Sequence, residues 1–408
     1  MTGKKGFMLG ALSGALAMLI IVGATLGVLK LTRGAENEVD QIIEQVNNGS
    51  DLDGLVLTKE TLEKIQTIND LIEQGYLFGD EISYDEMEAN AIKGYVQGLG
   101  DPYTVYYDAK ETKALMEDTA GEFGGIGVVI TQNVNTQIIT FTTVYEGSPG
   151  EKAGLKSGDV LYKVDGEDIS GQELDTVVAK IRGEKGTTVE LTVLRGDDYE
   201  ELTYKVTRDI IEVKTVSYKM LEDNIGYVAV SGFETITLSQ FEKAIEELNA
   251  QGMKKMIIDL RNNPGGNLST VCDMVDLILP KGTIVYTEDK QKIKEVFEAD
   301  DKKQMDIPMA VLVNGNGASA SEIFAGAMQD YEKAKIVGTT TFGKGIVQNI
   351  YGLPDGTSLK VTISEYFTPK GRSIHGKGIE PDVVVEYKYD ENNPEADNQL
   401  QAAIDSLK

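Results

Sequence analysis

The sequence predicts an α/β protein with a second, β-rich unit ahead of the main core. Two patterns carry this expectation. From about residue 212, short apolar runs alternate with amphipathic stretches: 225–230 reads as a strand, 238–249 as a helix with Phe241, Ile245 and Leu248 on one side, and 256–260 as a buried strand. Ahead of it, residues 121–207 hold glycine turns and short β-type runs, and form a different unit. The 408 residues leave room for two or three domains of roughly 150 residues each.

From the amino terminus, Lys4 and Lys5 precede an uncharged apolar run over 6–29, about as long as a bilayer-spanning helix requires. It exceeds the apolar part of a cleaved signal peptide, and no clear small-x-small cleavage site follows. The expectation is a single-pass, uncleaved anchor in the cell membrane, with the long acidic remainder on the extracytoplasmic side. Lys30 and Arg33 at the far end leave little charge bias to set the orientation. Gly6, Gly10 and Gly14, and again Gly23 and Gly27, are four apart and offer a close helix contact for a homo-oligomer.

The net charge of −27 argues against a nucleic-acid partner, because phosphate binding needs clustered Lys and Arg. Cys272, the one cysteine, lies in the apolar segment 268–279 and reads as small core filler. A single histidine, His375, excludes a zinc site built on several imidazoles and leaves a Ser/His/Asp triad one candidate base.

Residues 36–118 are helical in pattern. Leu62, Ile65, Ile68, Leu71 and Ile72 recur at helix spacing, and Met87, Ala91 and Tyr95 follow in a second segment. Gly100-Asp101-Pro102 breaks the run. Packing on the same chain or on a partner subunit both fit.

In the β-rich unit, Gly124-Gly125-Ile126-Gly127-Val128-Val129-Ile130 is a glycine-rich entry to a strand, 138–144 a second strand and 173–182 a helix. Consecutive glycines leave backbone N–H groups free to converge on a carboxylate. In the α/β core, the strand at 256–260 runs into Arg261-Asn262-Asn263-Pro264-Gly265-Gly266-Asn267 and then a helix to about 279. Amides of Gly265 and Gly266 at a helix start suit a developing oxyanion, although a Pro-Gly-Gly turn is also an ordinary strand exit.

The apolar run 309–313 leads into Asn314-Gly-Asn-Gly-Ala-Ser-Ala-Ser-Glu-Ile323, a strand, a tight glycine loop and a helix start. That layout presents a nucleophile, with Ser319 or Ser321 the candidate. Ser319 followed by Glu322 reads equally as a capping box. After a short strand near Ile336, Lys344 stands between two glycines among Phe342, Ile346 and Val347. Desolvation there would lower its pKa towards that of a usable base, and Gln348, four residues on, lies on the same side to orient the amine. Read alone, such a lysine fits a solvated turn as well. Asp355-Gly356 reads as a hairpin, and 397–407 as a terminal helix.

Five segments then carry a resemblance. The segment 147–166, with Pro149, Ala153-Gly154-Leu155, Gly158-Asp159-Val160-Leu161 and Val164-Asp165-Gly166, resembles PDZ domains. This implies that a peptide carboxyl terminus adds as a strand beside 126–130, with the amides of Gly125, Ile126, Gly127 and Val128 holding its carboxylate. The order of the PDZ segment, Asp259-Leu-Arg-Asn-Asn-Pro-Gly-Gly266, Ala318-Ser-Ala-Ser-Glu322, Phe342-Gly-Lys-Gly-Ile-Val-Gln348 and Gly371-Arg-Ser-Ile-His-Gly-Lys-Gly-Ile-Glu-Pro-Asp382 resembles the carboxyl-terminal processing peptidases, also called tail-specific proteases.

The resemblance implies a crotonase-like α/β protease core joined to the PDZ domain. It also implies Ser319 as nucleophile, Lys344 as base, Gln348 as its support, and an oxyanion hole from Gly265 or Gly266 with Ala320. Ala318 departs from the Ser or Thr that many relatives carry, without touching those roles. Arg182 resembles a position coupling the PDZ domain to the protease; a surface arginine closing a helix fits it as well. The expected division is a membrane anchor over 1–33, a helical segment over 34–118, the PDZ domain over 119–207, the protease core over 208–388 and a tail over 389–408. Expected partners are proteins or peptides with free carboxyl termini and the membrane, and no cofactor or metal is called for. His375 remains a rival base, and a non-catalytic PDZ adaptor the competing function. An acyl-CoA enzyme on the same general fold would carry no PDZ domain.

Overall fold

The computed structural model describes residues 58–300, 302–394 and 396–408. The expected anchor, its glycine spacing and the helical pattern over 36–57 lie outside the described residues; among the described residues no helix is long and apolar enough to cross a membrane. The chain divides into two units, one of residues 1–98 with 352–356 and one of residues 99–351 with 357–408.

In the first unit, helices Lys59–Gly75 and Tyr84–Gln97 begin at Thr58 and Ser83, whose hydroxyls accept the N–H groups of Thr61 and Glu86. The apolar spacing that predicts the first helix leaves Ile65, Ile68 and Leu71 exposed.

In the second unit, the β-rich domain is an antiparallel sheet in the order Val128–Gln132, Ile139–Val144, Val160–Val164, Thr188–Arg195, Glu200–Thr207. Helix Leu174–Ile181 drives Val177 and Ile181 into a core with Phe141, Leu161, Leu191 and Val193. The Gly-Asp motif has a structural role: buried Asp159 takes two bonds from the Arg195 guanidinium, at 2.6 and 2.7 Å. Among the described residues Val128–Gln132 is an edge strand, paired only with Ile139–Val144.

The α/β core is a sheet in the order Val216–Met220, Ile225–Val230, Lys255–Asp259, Met309–Val313, Ala334–Gly338, Val383–Val384; the first pair is antiparallel and the rest are parallel. Both faces are covered, which is why Met309–Val313 is buried at every position. Helices Thr237–Ala250, Leu268–Asp276 and Ala320–Asp330 pack one face, and Asn398–Ser406 packs the other through Ala403, beside Leu407. Cys272 is core filler in this layer, its thiol pushed up to about 12 by burial.

A second sheet contains the hairpin read at Asp355-Gly356 and otherwise departs from the sequence reading. It runs Val105–Tyr107, Ser358–Phe367, Gly282–Asp289, Lys294–Ala299, with Ile346–Gly352 paired to Ser358–Phe367. Val105–Tyr107 lies inside the segment read as helical, yet it pairs antiparallel with Ser358, Leu359 and Lys360. After the break at Asp101-Pro102, the run Tyr-Thr-Val-Tyr-Tyr is aromatic and β-branched and suits a strand. Helix Ala109–Ala120 follows, opened by the reciprocal Asp108 and Glu111 cap and closed by Gly121 at φ 73°.

Candidate active site

Three of the singled-out segments leave the same end of the central sheet. Lys255–Asp259, Met309–Val313 and Ala334–Gly338 are adjacent and parallel, with Asp259 opposite Leu312 and Leu312 opposite Val337. Their following loops therefore emerge side by side beyond the carboxyl ends, where α/β folds gather their sites. These loops carry Gly265-Gly266, Ser319 and Lys344.

Ser319 sits at φ 55° and ψ −115°, immediately before helix Ala320–Asp330. A serine held there is strained, the condition of a nucleophile presented on a sharp turn. The Ser319 N–H donates to Glu322 Oε2 at 2.8 Å, the Glu322 half of the expected box. The two candidate serines separate clearly. Ser321 is fully buried and its Oγ donates to the Asn263 carbonyl at 2.9 Å, whereas Ser319 is half-buried and opens on a cavity of about 340 Å³. Lys344, Gln348, Gly266 and Ala320 line that cavity with it.

The Pro-Gly-Gly turn packs directly on Ser319. A Cβ at Gly265 would stand 2.8 Å from Ser319 Cβ and 3.1 Å from the Ala320 nitrogen, at φ 111°. A Cβ at Gly266 would stand 2.5 Å from the Phe233 carbonyl oxygen, at φ 146°. Only glycine fits either position. The two amides differ: Gly265 N–H donates to Asn263 Oδ1 at 2.9 Å, while among the described residues Gly266 and Ala320 N–H have no protein acceptor. Asn263, with no exposed surface, ties the turn to the serine loop, since its carbonyl also accepts the Ala318 N–H at 3.1 Å.

Lys344 is half-buried, and burial first, then the charge of Lys360, pushes its ammonium below the ordinary value of 10.5; Asp101 and Glu322 pull the other way. The Tyr103 ring lies 4.7 Å from Nζ, a contact that also favours the cation. Asp101 is itself held by Thr104 and Thr362, each at 2.6 Å. Gln348 shares the cavity, with its amide directed at Thr362 Oγ1 at 3.4 Å. The backbone of the lysine loop is braced by the 371–382 segment: Gly376 N–H donates to the Gly343 carbonyl at 2.8 Å, and Ile379 N–H to Thr341 Oγ1 at 2.7 Å. His375, in that segment, is exposed and does not line the cavity.

A second cavity, of about 570 Å³, lies in the β-rich domain. Gly125, Ile126, Gly127 and Val128 line it, with Val178, Ile181 and Arg182 across from them. Gly125 ends the short strand Glu122–Gly125 paired with Asp209–Glu212; Gly127 turns at φ 72°, where a Cβ would stand 2.4 Å from Ser148 Cβ. Arg182 lies over the Phe123 ring at 4.2 Å and reaches Glu117 at 3.4 Å. Glu117 belongs to helix Ala109–Ala120, whose Leu115, Asp118 and Thr119 line the first cavity. Glu322, Tyr366, Asp101 and Lys360 have no place among the residues the sequence singled out for chemistry; only Glu322 carried a signal, as a helix cap.

The sequence matches Peptidase family S41 over residues 224–385, a PDZ domain over 140–195 and the activating protease CtpB N-terminal domain over 18–112. A probable CtpA-like serine protease of Staphylococcus saprophyticus subsp. saprophyticus is 38% identical over 371 residues, covering 90% of this chain and 70% of its own. One from Staphylococcus epidermidis is 40% identical over 345 residues, 84% of this chain and 69% of its own. Among solved structures, a photosystem II D1 C-terminal processing protease aligns at 29% identity over 80% of this chain and 92% of that one, with a TM-score of 0.46. Such identity, sustained along most of both chains and joined to the match across the core, places this protein in peptidase family S41 as a serine protease with a PDZ domain.

Proposed function

We propose that this S41 serine protease cleaves proteins whose free carboxyl termini it holds in its PDZ groove, using Ser319 as nucleophile and Lys344 as general base. One observation carries the reading: a half-buried lysine of lowered pKa shares a cavity with a strained serine and two backbone N–H groups that have no protein acceptor among the described residues. Neutral Lys344 takes the Ser319 hydroxyl proton as Oγ bonds to the scissile carbonyl carbon. The carbonyl oxygen becomes an oxyanion facing the N–H groups of Gly266 and Ala320, with Gly265 shaping the turn. The lysine ammonium then protonates the departing amine, and water, deprotonated by the same lysine, releases the acyl group from Ser319. Gln348, which lines the same cavity and reaches Thr362, orients the amine in this reading. The chemistry calls for no cofactor.

In the PDZ groove, an incoming peptide pairs with the open edge of Val128–Gln132, and its carboxylate meets the backbone at Gly125, Ile126, Gly127 and Val128. Arg182, bridging that groove to Glu117, couples tail binding to the cleft. The run at 6–29 anchors the protein as a single-pass helix with the protease on the extracytoplasmic side. The test uses one peptide made with a free and with an amidated carboxyl terminus. The wild type should cleave the free form at least about tenfold faster at subsaturating concentration, and Ser319→Ala should cleave neither. Equal rates on both forms would contradict tail recognition, and cleavage by Ser319→Ala would contradict the nucleophile.

A further inference from the structure

Two buried side chains far apart in sequence grip the same two residues. Glu322 has no exposed surface, and its Oε2 accepts the N–H of Ser319 at 2.8 Å and the N–H of Lys344 at 2.9 Å. Its Oε1 accepts Gly343 N–H at 2.7 Å and the Thr341 hydroxyl at 2.5 Å, so all its acceptor directions are engaged. Tyr366 is 1% exposed, and its Oη lies 2.7 Å from the Lys344 carbonyl and 3.0 Å from the Ser319 carbonyl. Its one proton is shared between them. The N–H groups of Ser319 and Lys344 thus meet on this one carboxylate and their carbonyls on this one phenol, the Ser319 carbonyl also accepting the helix N–H groups of Glu322 and Ile323 at 2.8 and 3.0 Å.

We propose that Glu322 and Tyr366 are positioning residues that together set the separation of Ser319 and Lys344. The proposal rests on the Ser/Lys reading above. Ser319 and Lys344 sit on loops from adjacent strands, and a side chain on either loop can drift with its loop. A carboxylate bonded to both N–H groups and a phenol bonded to both carbonyls remove that freedom at the α-carbons, leaving only side-chain torsions to adjust. Glu322 does not line the cavity, and Tyr366, which does, has its hydroxyl directed at the two carbonyls, so each acts through the backbone of the reacting pair. A glutamate kept only as a helix cap would need the Ser319 N–H alone, and three of its four bonds go elsewhere.

The experiment measures kcat, KM, tail-peptide affinity and melting temperature for Tyr366→Phe, Glu322→Gln and the double variant, beside Ser319→Ala. Each single variant should lose at least about fivefold in kcat with KM and tail affinity within about twofold, because misplaced reacting groups cost rate rather than binding. The double variant should lose less than the product of the two, since both hold one geometry. The pH profiles should differ. Lys360, Asp101, Glu322 and the Tyr103 ring bear on Lys344. Removing the Glu322 charge should therefore move the acid limb of kcat to lower pH, whereas Tyr366→Phe leaves it in place. A smaller kcat loss in Tyr366→Phe overturns the proposal, as does a loss accompanied by equal changes in KM and tail affinity. If Glu322→Gln does not fold, Tyr366→Phe decides alone. Cleavage by Ser319→Ala would instead refute the Ser/Lys reading itself, an outcome distinct from an intact dyad with a dispensable clamp.

Discussion

The two grooves of this protein are built on opposite principles. The proposed catalytic cleft is assembled from loops of three parallel strands and held by buried polar side chains: Asn263 ties the glycine turn to the serine loop, and Glu322 and Tyr366 tie that loop to the lysine. The PDZ groove rests on the edge strand Val128–Gln132 and on apolar side chains including Phe123, Val178, Ile181 and Ile211, with Arg182 in its lining. On the proposed reading, a site that places reacting atoms uses fixed, satisfied hydrogen bonds, and a site that accepts many tails offers a strand edge, with which the main chain of every tail can pair. Damage to the first should therefore cost turnover and spare binding, and damage to the second should do the reverse.

The sharpest contrast comes from two alanines. Gly265→Ala brings a Cβ to 2.8 Å from Ser319 Cβ, and should lower kcat about 100-fold with tail affinity unchanged. Gly127→Ala brings a Cβ to 2.4 Å from Ser148 Cβ in the carboxylate loop, and should weaken tail binding about tenfold while an untailed peptide is cleaved at the wild-type kcat. Isothermal titration with a tail peptide, run beside steady-state kinetics, checks both; loss of the two properties together in either variant would dissolve the contrast.

Smaller effects probe the electrostatics of the cleft. Lys360 holds the Lys344 pKa down, so Lys360→Met should raise it, reduce the neutral amine at a given pH and move the acid limb of kcat/KM to higher pH. Asp101 acts with the opposite sign, so Asp101→Asn should move that limb to lower pH. Profiles shifting the other way would remove Lys344 as the titrating group. Arg182→Ala breaks an exposed ion pair, and should lower cleavage of tailed substrates about threefold without changing tail affinity. His375→Gln should keep kcat within about twofold, since the imidazole is exposed and outside the cavity.

The sequence made different parts of this design legible to different degrees. The strands Ile225–Val230 and Met309–Val313 are readable because a strand buried on both faces must be continuously apolar. Gly127, Gly265 and Gly266 announce themselves because other residues rarely tolerate their positive φ beside packed neighbours. The hairpin Gly282–Asp289 with Lys294–Ala299 escapes such reading because one strand is mixed in burial and the other largely exposed, so its charged positions mask the period. Local spacing offers Glu322 only a helix cap, because its bonds to the lysine loop span 19 to 22 residues. Tyr366 gives no signal at all: its bonds to Ser319 and Lys344 span 47 and 22 residues, and nothing near it distinguishes it from a core tyrosine.

The dyad itself is tested most directly by Lys344→Ala, assayed for turnover of a tailed substrate and, on the same preparation, for affinity of the isolated tail peptide. The account predicts a loss in kcat of about 1,000-fold or more with tail affinity unchanged. Turnover near the wild-type rate would contradict it.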